Sequence, residues 1–189
     1  MTKFSVRPTL TLQGRKFKGL RGWSGKPFHP PLTDFPIAAY VLAAVFDVIS
    51  VVGGKDHTWA RELWHAGTYT FLGGAAVSVL AVGTGLMDAW KSSEAGTQAR
   101  RTINTHATIM ITVTVLALAD IAWRLNDYHT NAVTPTAIAV LSVVIAVLVS
   151  FGATFGGTLV YDYGFNVETA GDDPVWHKSD TDVYPGKHG

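Results

Sequence analysis

Four long apolar stretches, separated by short polar loops, constrain the fold of this chain more than any other feature. They run from Leu32 to Gly54, Leu63 to Met87, Ile103 to Trp123 and Thr134 to Tyr161. Each stretch is close to or longer than the ~20 residues with which a helix crosses a bilayer. Short connections make neighbouring helices antiparallel. The sequence therefore predicts an all-α protein, a transmembrane four-helix up-down bundle, and no internal repeat is apparent in it.

The two ends of the chain differ from the apolar region in their charge. The first 26 residues carry basic side chains and no acid, whereas the residues after Tyr161 are rich in Asp, Gly and Pro. We expect a basic juxtamembrane arm over residues 1–26, a membrane domain over 27–167 and an acidic polar tail over 168–189. Because mostly polar residues precede the first apolar stretch, a cleaved signal peptide is not expected.

The distribution of Lys and Arg predicts the orientation. The two tails and the loop between the second and third spans lie on one side and hold all the basic residues except Lys55, Arg61 and Arg124. Cytoplasmic segments carry the excess of basic residues in membrane proteins. We therefore expect a multi-pass protein of the inner (plasma) membrane with both termini in the cytoplasm.

Three polar residues are predicted to meet at the cytoplasmic end of the bundle. His29 lies at the start of span one, His106 in the first turn of span three and Asp88 at the end of span two. The two histidines could bind a metal ion or the iron of a b-type haem, with Asp88 orienting an imidazole. The alternative is structural: His29 would cap backbone groups near the prolines, while His106 would bond Asp88.

A second polar layer is predicted about 20 Å deeper, from the ~1.5 Å rise per helical residue. Asp47 and Asp120 belong to it, and His65 enters from the same side. A proton path, or a second metal or haem site, is one interpretation of this layer. The other is that the two carboxyl groups pair with Arg61 or Arg124.

The absence of some residues and motifs excludes several classes of chemistry. The chain has no cysteine, so disulfides, thiolate metal sites, iron–sulfur ligation and thioether-linked c-type haem are excluded within it. It contains no P-loop, Rossmann glycine pattern, nucleophile elbow or HExxH motif, so a soluble-type enzyme is not indicated. We expect the lipid bilayer and either a membrane redox complex or further copies of the chain as partners, and no nucleic acid.

Several short motifs of the chain resemble those of a known family. His29 and Pro30 precede the tripeptide Phe35-Pro36-Ile37, and three further blocks follow in order: Thr84 to Trp90, His106, and Gly156 to Tyr161 with Gly164 after it. This pattern resembles the DUF2231 family of predicted four-span membrane proteins. The likeness extends from about Lys26 to Val167.

The resemblance bears on function through the domains of other family members. Some of them carry a Rieske iron–sulfur domain after the membrane part, which implies proximity to electron transfer. This chain has no cysteine and only a short acidic tail there, so a redox partner would be a separate protein. We expect a respiratory or electron-transfer subunit that binds haem b through His29 and His106. The alternative is a cofactor-free structural or assembly subunit; a transporter ranks third, and enzyme activity stays open.

Overall fold

Four long helices form the protein. The structure is a computed structural model that describes residues 19–20, 26–167, 178 and 180. The helices are α1 (His29–Gly53), α2 (Thr58–Ser92), α3 (Gln98–Asp127) and α4 (Thr136–Gly157), and α4 continues into a π-helical turn, Thr158–Asp162. All four are long and apolar enough to cross a membrane. The predicted all-α transmembrane bundle is confirmed, whereas the arm and the tail fall almost entirely outside the described residues and stay predictions.

The helices begin and end at residues that suit helix termini, and several extend beyond the apolar stretches. α1 begins at His29, ahead of Leu32, because Pro30 and Pro31 occupy its first turn, where a missing N–H costs nothing. α3 begins at Gln98, ahead of Ile103, and the Thr97 hydroxyl at its N-cap accepts a hydrogen bond from the backbone N–H of Arg100. Polar residues can therefore continue a helix past the hydrocarbon region.

The helices pack in a ring in which α1 and α3 lie diagonally opposite. α1 contacts α2 and α4, and α3 contacts the same two helices. Tyr40, Phe71, Val113 and Ile145, one residue from each helix, are buried together at the centre. Apolar side chains also cover the outside of the bundle, as at Val147, which is 63% exposed. An apolar exterior on a bundle that already has a core is the arrangement that lipid requires.

The buried positions of the two helical hairpins recur at the same intervals. On α1 they include Pro36, Tyr40, Ala43 and Asp47, and on α3 they include Val113, Ala117, Asp120 and Arg124. On α2 they include Gly67, Phe71, Gly74, Ser78 and Ala81, and on α4 they include Ile138, Ser142, Ile145, Val149 and Gly152. The α1–α2 and α3–α4 hairpins therefore bury equivalent faces, although their residues differ, and the bundle has an approximate twofold arrangement.

Candidate functional site

The structure brings together the three residues expected at one end of the bundle. His29 at the start of α1, Asp88 near the end of α2 and His106 in α3 all line one cavity between the helices. The antiparallel order of the helices brings the three side chains to the same end of the bundle. Pro30 follows His29 in the first turn of α1. We call these three residues the histidine layer.

His29 is fixed by a hydrogen bond to a neighbouring helix. Its Nδ1 lies 2.9 Å from the backbone carbonyl oxygen of Ala81 on α2. A carbonyl oxygen only accepts, so Nδ1 carries a proton and donates it, and in the neutral ring the lone pair is then on Nε2. The ring lies against Gly85, where an added Cβ would be 2.7 Å from the His29 Cε1. A side chain at this position would overlap the ring, so the ring would have to shift.

His106 repeats this arrangement on the other hairpin. Its Nδ1 lies 2.9 Å from the carbonyl oxygen of Gly152 on α4, and a Cβ on Gly156 would be 3.2 Å from its Cε1. In both cases the accepting carbonyl precedes the glycine by one helical turn. The approximate twofold arrangement of the bundle thus applies to the histidines, their hydrogen-bond partners and their glycines.

The two imidazole rings face each other across the bundle. Their centroids are 6.5 Å apart and their planes are at 82°. Among the described residues, neither Nε2 has a hydrogen-bond partner. Both imidazoles are therefore held in place through Nδ1, and their Nε2 atoms remain available for another contact.

The cavity itself has a volume of about 230 Å³ and is lined mainly by apolar side chains. At its inner end the Tyr40 hydroxyl donates to the Ser78 hydroxyl oxygen over 3.1 Å, so these two polar groups satisfy one another. At the other end Phe165 and Asn166, which follow the π-helical turn, complete the lining. An apolar cavity with few unsatisfied polar groups is typical of a small-molecule or cofactor site.

Asp88 has a partner that the sequence did not indicate. One of its carboxylate oxygens accepts a hydrogen bond from the backbone N–H of Leu20 over 3.2 Å. Among the described residues neither imidazole forms the expected hydrogen bond with Asp88, and both Nδ1 atoms donate to backbone carbonyls instead. Asp88 is nonetheless 4% exposed and lines the cavity, so its carboxyl group lies beside the space that the imidazoles face.

The second polar layer is an ion-pair cluster of Asp47, Asp120 and Arg124, which we call the arginine cluster. Arg124 donates to both carboxylate oxygens of Asp47 through its terminal nitrogens, and to Asp120 through Nε over 2.8 Å. The predicted pairing of the two carboxyl groups with Arg124 is confirmed. Arg124 follows the end of the third apolar stretch in the sequence, but it lies within α3 and is fully buried.

His65, which was also predicted to belong to the second layer, lies outside the ion pairs of the arginine cluster. The His65 ring stacks on the ring of Tyr128, with centroids 4.5 Å apart. The hydroxyl of Tyr128 forms a hydrogen bond with that of Tyr69, and this bond raises the pKa of Tyr128. His65 thus belongs to an aromatic group at that end of the bundle.

The ligands available for a metal ion are few. The described part of the chain contains no group of three or more His, Asp or Glu residues placed to hold a metal. His29 and His106 are the two imidazoles that the structure brings together.

The role of Gly85 and Gly156 in accommodating the imidazoles was not predicted from the sequence. The sequence feature that could have indicated it is a glycine one helical turn after the residue whose carbonyl accepts the histidine hydrogen bond.

Comparison with known proteins gives a family and no closer relative. No curated protein and no solved structure matches the chain. The model of one family, described as a predicted membrane protein, matches residues 25–169, which covers all four helices and both polar layers. The chain therefore belongs to the DUF2231 family of predicted membrane proteins.

Proposed function

We propose that this membrane protein binds haem b and takes part in electron transfer, with His29 and His106 as the axial ligands. The observation that carries the proposal is the relation between the two rings, whose centroids are 6.5 Å apart with both Nε2 atoms free. Imidazoles on opposite sides of one metal ion have ring centres about 6 Å apart, because metal–nitrogen distances are about 2 Å. The observed separation fits one iron between the rings.

The number of protein ligands favours haem over a metal ion bound by the protein alone. Structural zinc sites use four protein ligands and catalytic zinc sites three. Here two histidines converge without a third ligand among the described residues. A porphyrin supplies four nitrogen ligands of its own and requires only the two axial positions from the protein.

The surroundings of the histidines also suit a flat apolar group. The cavity lining is mainly apolar, and Gly85 and Gly156 have no side chain beside the rings. The hydrogen bonds from Nδ1 to the carbonyls of Ala81 and Gly152 fix the orientation of each ring and increase the basicity of its Nε2. When bound, haem would supply reversible one-electron transfer.

In this proposal Asp88 acts on the bound group by its charge and position, without contacting an imidazole. Its carboxyl lines the cavity, and its hydrogen bond with Leu20 fixes it there. A buried carboxylate near the iron would stabilise the oxidised state relative to the reduced state.

The partners and the location follow from the same interpretation. We propose that the protein lies in the inner (plasma) membrane with both termini in the cytoplasm. Its redox partner would be a separate protein, and the chain would belong to a membrane redox complex or assemble with further copies of itself. The Lys and Arg distribution supports this orientation, and Arg124 is buried within the bundle, so it adds no exposed charge to the outer side. Lys55 and Arg61 are then the cations left on that side.

A cofactor-free structural or assembly subunit is the second candidate, and one observation favours it. His29 links α1 to α2 and His106 links α3 to α4, so both residues have a role in packing without any ligand. Under this interpretation the cavity is a packing defect or a docking site for lipid, and the histidines hold each hairpin together.

Visible spectra of the purified protein, oxidised and dithionite-reduced, separate the two candidates. We expect a Soret band and reduced α and β bands in the wild-type protein. His29→Ala and His106→Ala should each lose or strongly change these bands while the protein still inserts. His65→Ala, which lies outside the cavity, is the matched control and should keep them. A wild-type protein without haem absorption, isolated under conditions that preserve b-type cytochromes, would reject the proposal and favour the structural role.

A further inference from the structure

The arginine cluster contains more acidic than basic groups. Asp47, Asp120 and Arg124 are all fully buried. With all three ionised, the cluster carries one net negative charge. The charged groups that act on Asp120 are Arg124 and Asp47, while α2 presents Trp64 and the loop before α4 presents Thr134, neither of which is charged. An uncompensated charge in a membrane interior is costly, so a neutral cluster is favoured.

The hydrogen bonds show which carboxyl group is better suited to remain ionised. Asp47 accepts from two nitrogens of Arg124 and from the Thr134 hydroxyl, which lies 3.2 Å from its Oδ1. Asp120 accepts from Arg124 Nε alone, through Oδ2. Hydrogen bonds donated to a carboxylate stabilise its ionised form. Asp47 is therefore the stable anion of the cluster, and Asp120 is the weaker one.

Two unsatisfied atoms lie in or beside the cluster. The Oδ1 of Asp120 and the Nε1 of Trp64 are both buried and have no hydrogen-bond partner among the described residues. Trp64 belongs to the same group because the Arg124 guanidinium carbon lies 5.4 Å from its ring centre. An ionised carboxylate oxygen without a donor is among the most costly groups to bury, whereas a protonated one is neutral.

We propose that the arginine cluster is a proton-binding site, with the exchangeable proton on Oδ1 of Asp120. In the protonated state Asp47 and Arg124 form a neutral ion pair and Asp120 is a neutral acid that accepts from Arg124 through its other oxygen. On release the O–H bond of Asp120 breaks, the proton passes to water, and the cluster gains one negative charge. A neutral Asp120 keeps its hydrogen bond with Arg124, and no described group needs to move.

Infrared spectroscopy of the purified protein tests this proposal directly. In wild-type protein at neutral pH we expect the carbonyl band of a protonated carboxylic acid, which shifts in D₂O and shifts further when aspartate is labelled with ¹³C. The band should be absent in Asp120→Asn and should disappear from the wild type as the pH is raised. Asp88→Asn, which changes a buried carboxyl outside the arginine cluster, is the matched control and should retain it.

Two results would overturn the proposal. One is a wild-type spectrum without a protonated aspartic acid band, because all carboxyl groups are then ionised. The other is a band that persists in Asp120→Asn and disappears in Asp88→Asn. If Asp120→Asn does not fold, Asp120→Glu decides the question, since the band should then no longer respond to the aspartate label. None of these measurements requires a bound cofactor, so they are independent of the haem proposal.

Discussion

His29 and His106 stand at equivalent positions of the two helical hairpins and face each other across the bundle, 6.5 Å apart and nearly perpendicular. Each donates through Nδ1 to a carbonyl on its own partner helix, and each lies against a glycine one turn further along. A merely structural histidine needs only the first of these features. The Nε2 atoms, which make no hydrogen bond within the described residues, are the feature that the proposed ligand role would use.

The glycine beside His29 gives a test that leaves both ligands in place. In Gly85→Ala the new Cβ would lie 2.7 Å from the His29 ring, so the ring must move. We expect a weakened or altered haem spectrum and a loss of about 1–3 kcal/mol in stability from overpacking. Gly83→Ala, on the same helix with no atom within 4 Å of its Cβ, is the control and should change neither. Equal spectra for the two variants would argue against a ligand role for His29.

Asp88 should affect the electronic properties of the site more than the fold. Asp88→Asn keeps an oxygen that can accept from the Leu20 N–H but removes the negative charge. The protein should fold, and the midpoint potential of a bound haem should rise, because the oxidised iron loses a stabilising charge.

Redox titration measures this shift. Asp34→Asn is the control, since that carboxyl is exposed on the outside of α1 and does not line the cavity. If Asp88→Asn changes neither potential, spectrum nor thermal stability, Asp88 is a helix-end residue without influence on the cavity.

The orientation in the membrane can be measured because the chain has no native cysteine. Asp56→Cys places a thiol in the loop between α1 and α2, and Glu94→Cys places one between α2 and α3; both positions are exposed. We expect a membrane-impermeant thiol reagent to label Asp56→Cys in intact cells and Glu94→Cys only after permeabilisation. The reverse pattern would put both termini outside and invert the proposed topology.

Much of the fold could be predicted from the sequence because the bilayer imposes it. Apolar length predicts the spans, and short loops require antiparallel neighbours, which brings His29, Asp88 and His106 to one end. The internal similarity of the hairpins was not predicted, because it lies in the intervals of buried positions. Asp47 and Arg124, for example, occupy equivalent positions and have opposite charges.

The partners of polar groups were harder to predict than the helices. Arg124 appears in the sequence as a cation close to a loop, yet it is buried because Asp47, distant in the chain, neutralises it. The acceptors of both histidines are backbone carbonyls, and a carbonyl oxygen is present at every residue. Which one lies within reach depends on how far one helix is shifted along another, and residue types alone do not fix that shift.

The two carboxyl groups of the arginine cluster should respond differently to loss of charge. Asp47→Asn removes the negative charge of Asp47 and one of its two acceptor oxygens, so Asp120 is the one carboxyl of the cluster left to balance the buried guanidinium. Breaking a buried ion pair costs about 3–5 kcal/mol, so we expect a large fall in the midpoint of thermal or denaturant unfolding. Asp120→Asn keeps an oxygen for Arg124 Nε and, with Asp120 normally neutral, leaves the charge of the cluster unchanged.

We therefore expect Asp120→Asn to change stability by less than about 1 kcal/mol, the range of a single neutral hydrogen bond. Unfolding of both variants in the same detergent, followed by circular dichroism, gives the comparison. Ser142→Ala, at a buried hydroxyl that bonds only to its own helix, measures the effect of a buried polar change outside the cluster. Equal destabilisation by Asp47→Asn and Asp120→Asn would mean that both carboxylates are ionised and support Arg124 equally, and the asymmetry of their hydrogen bonds would then have no energetic consequence.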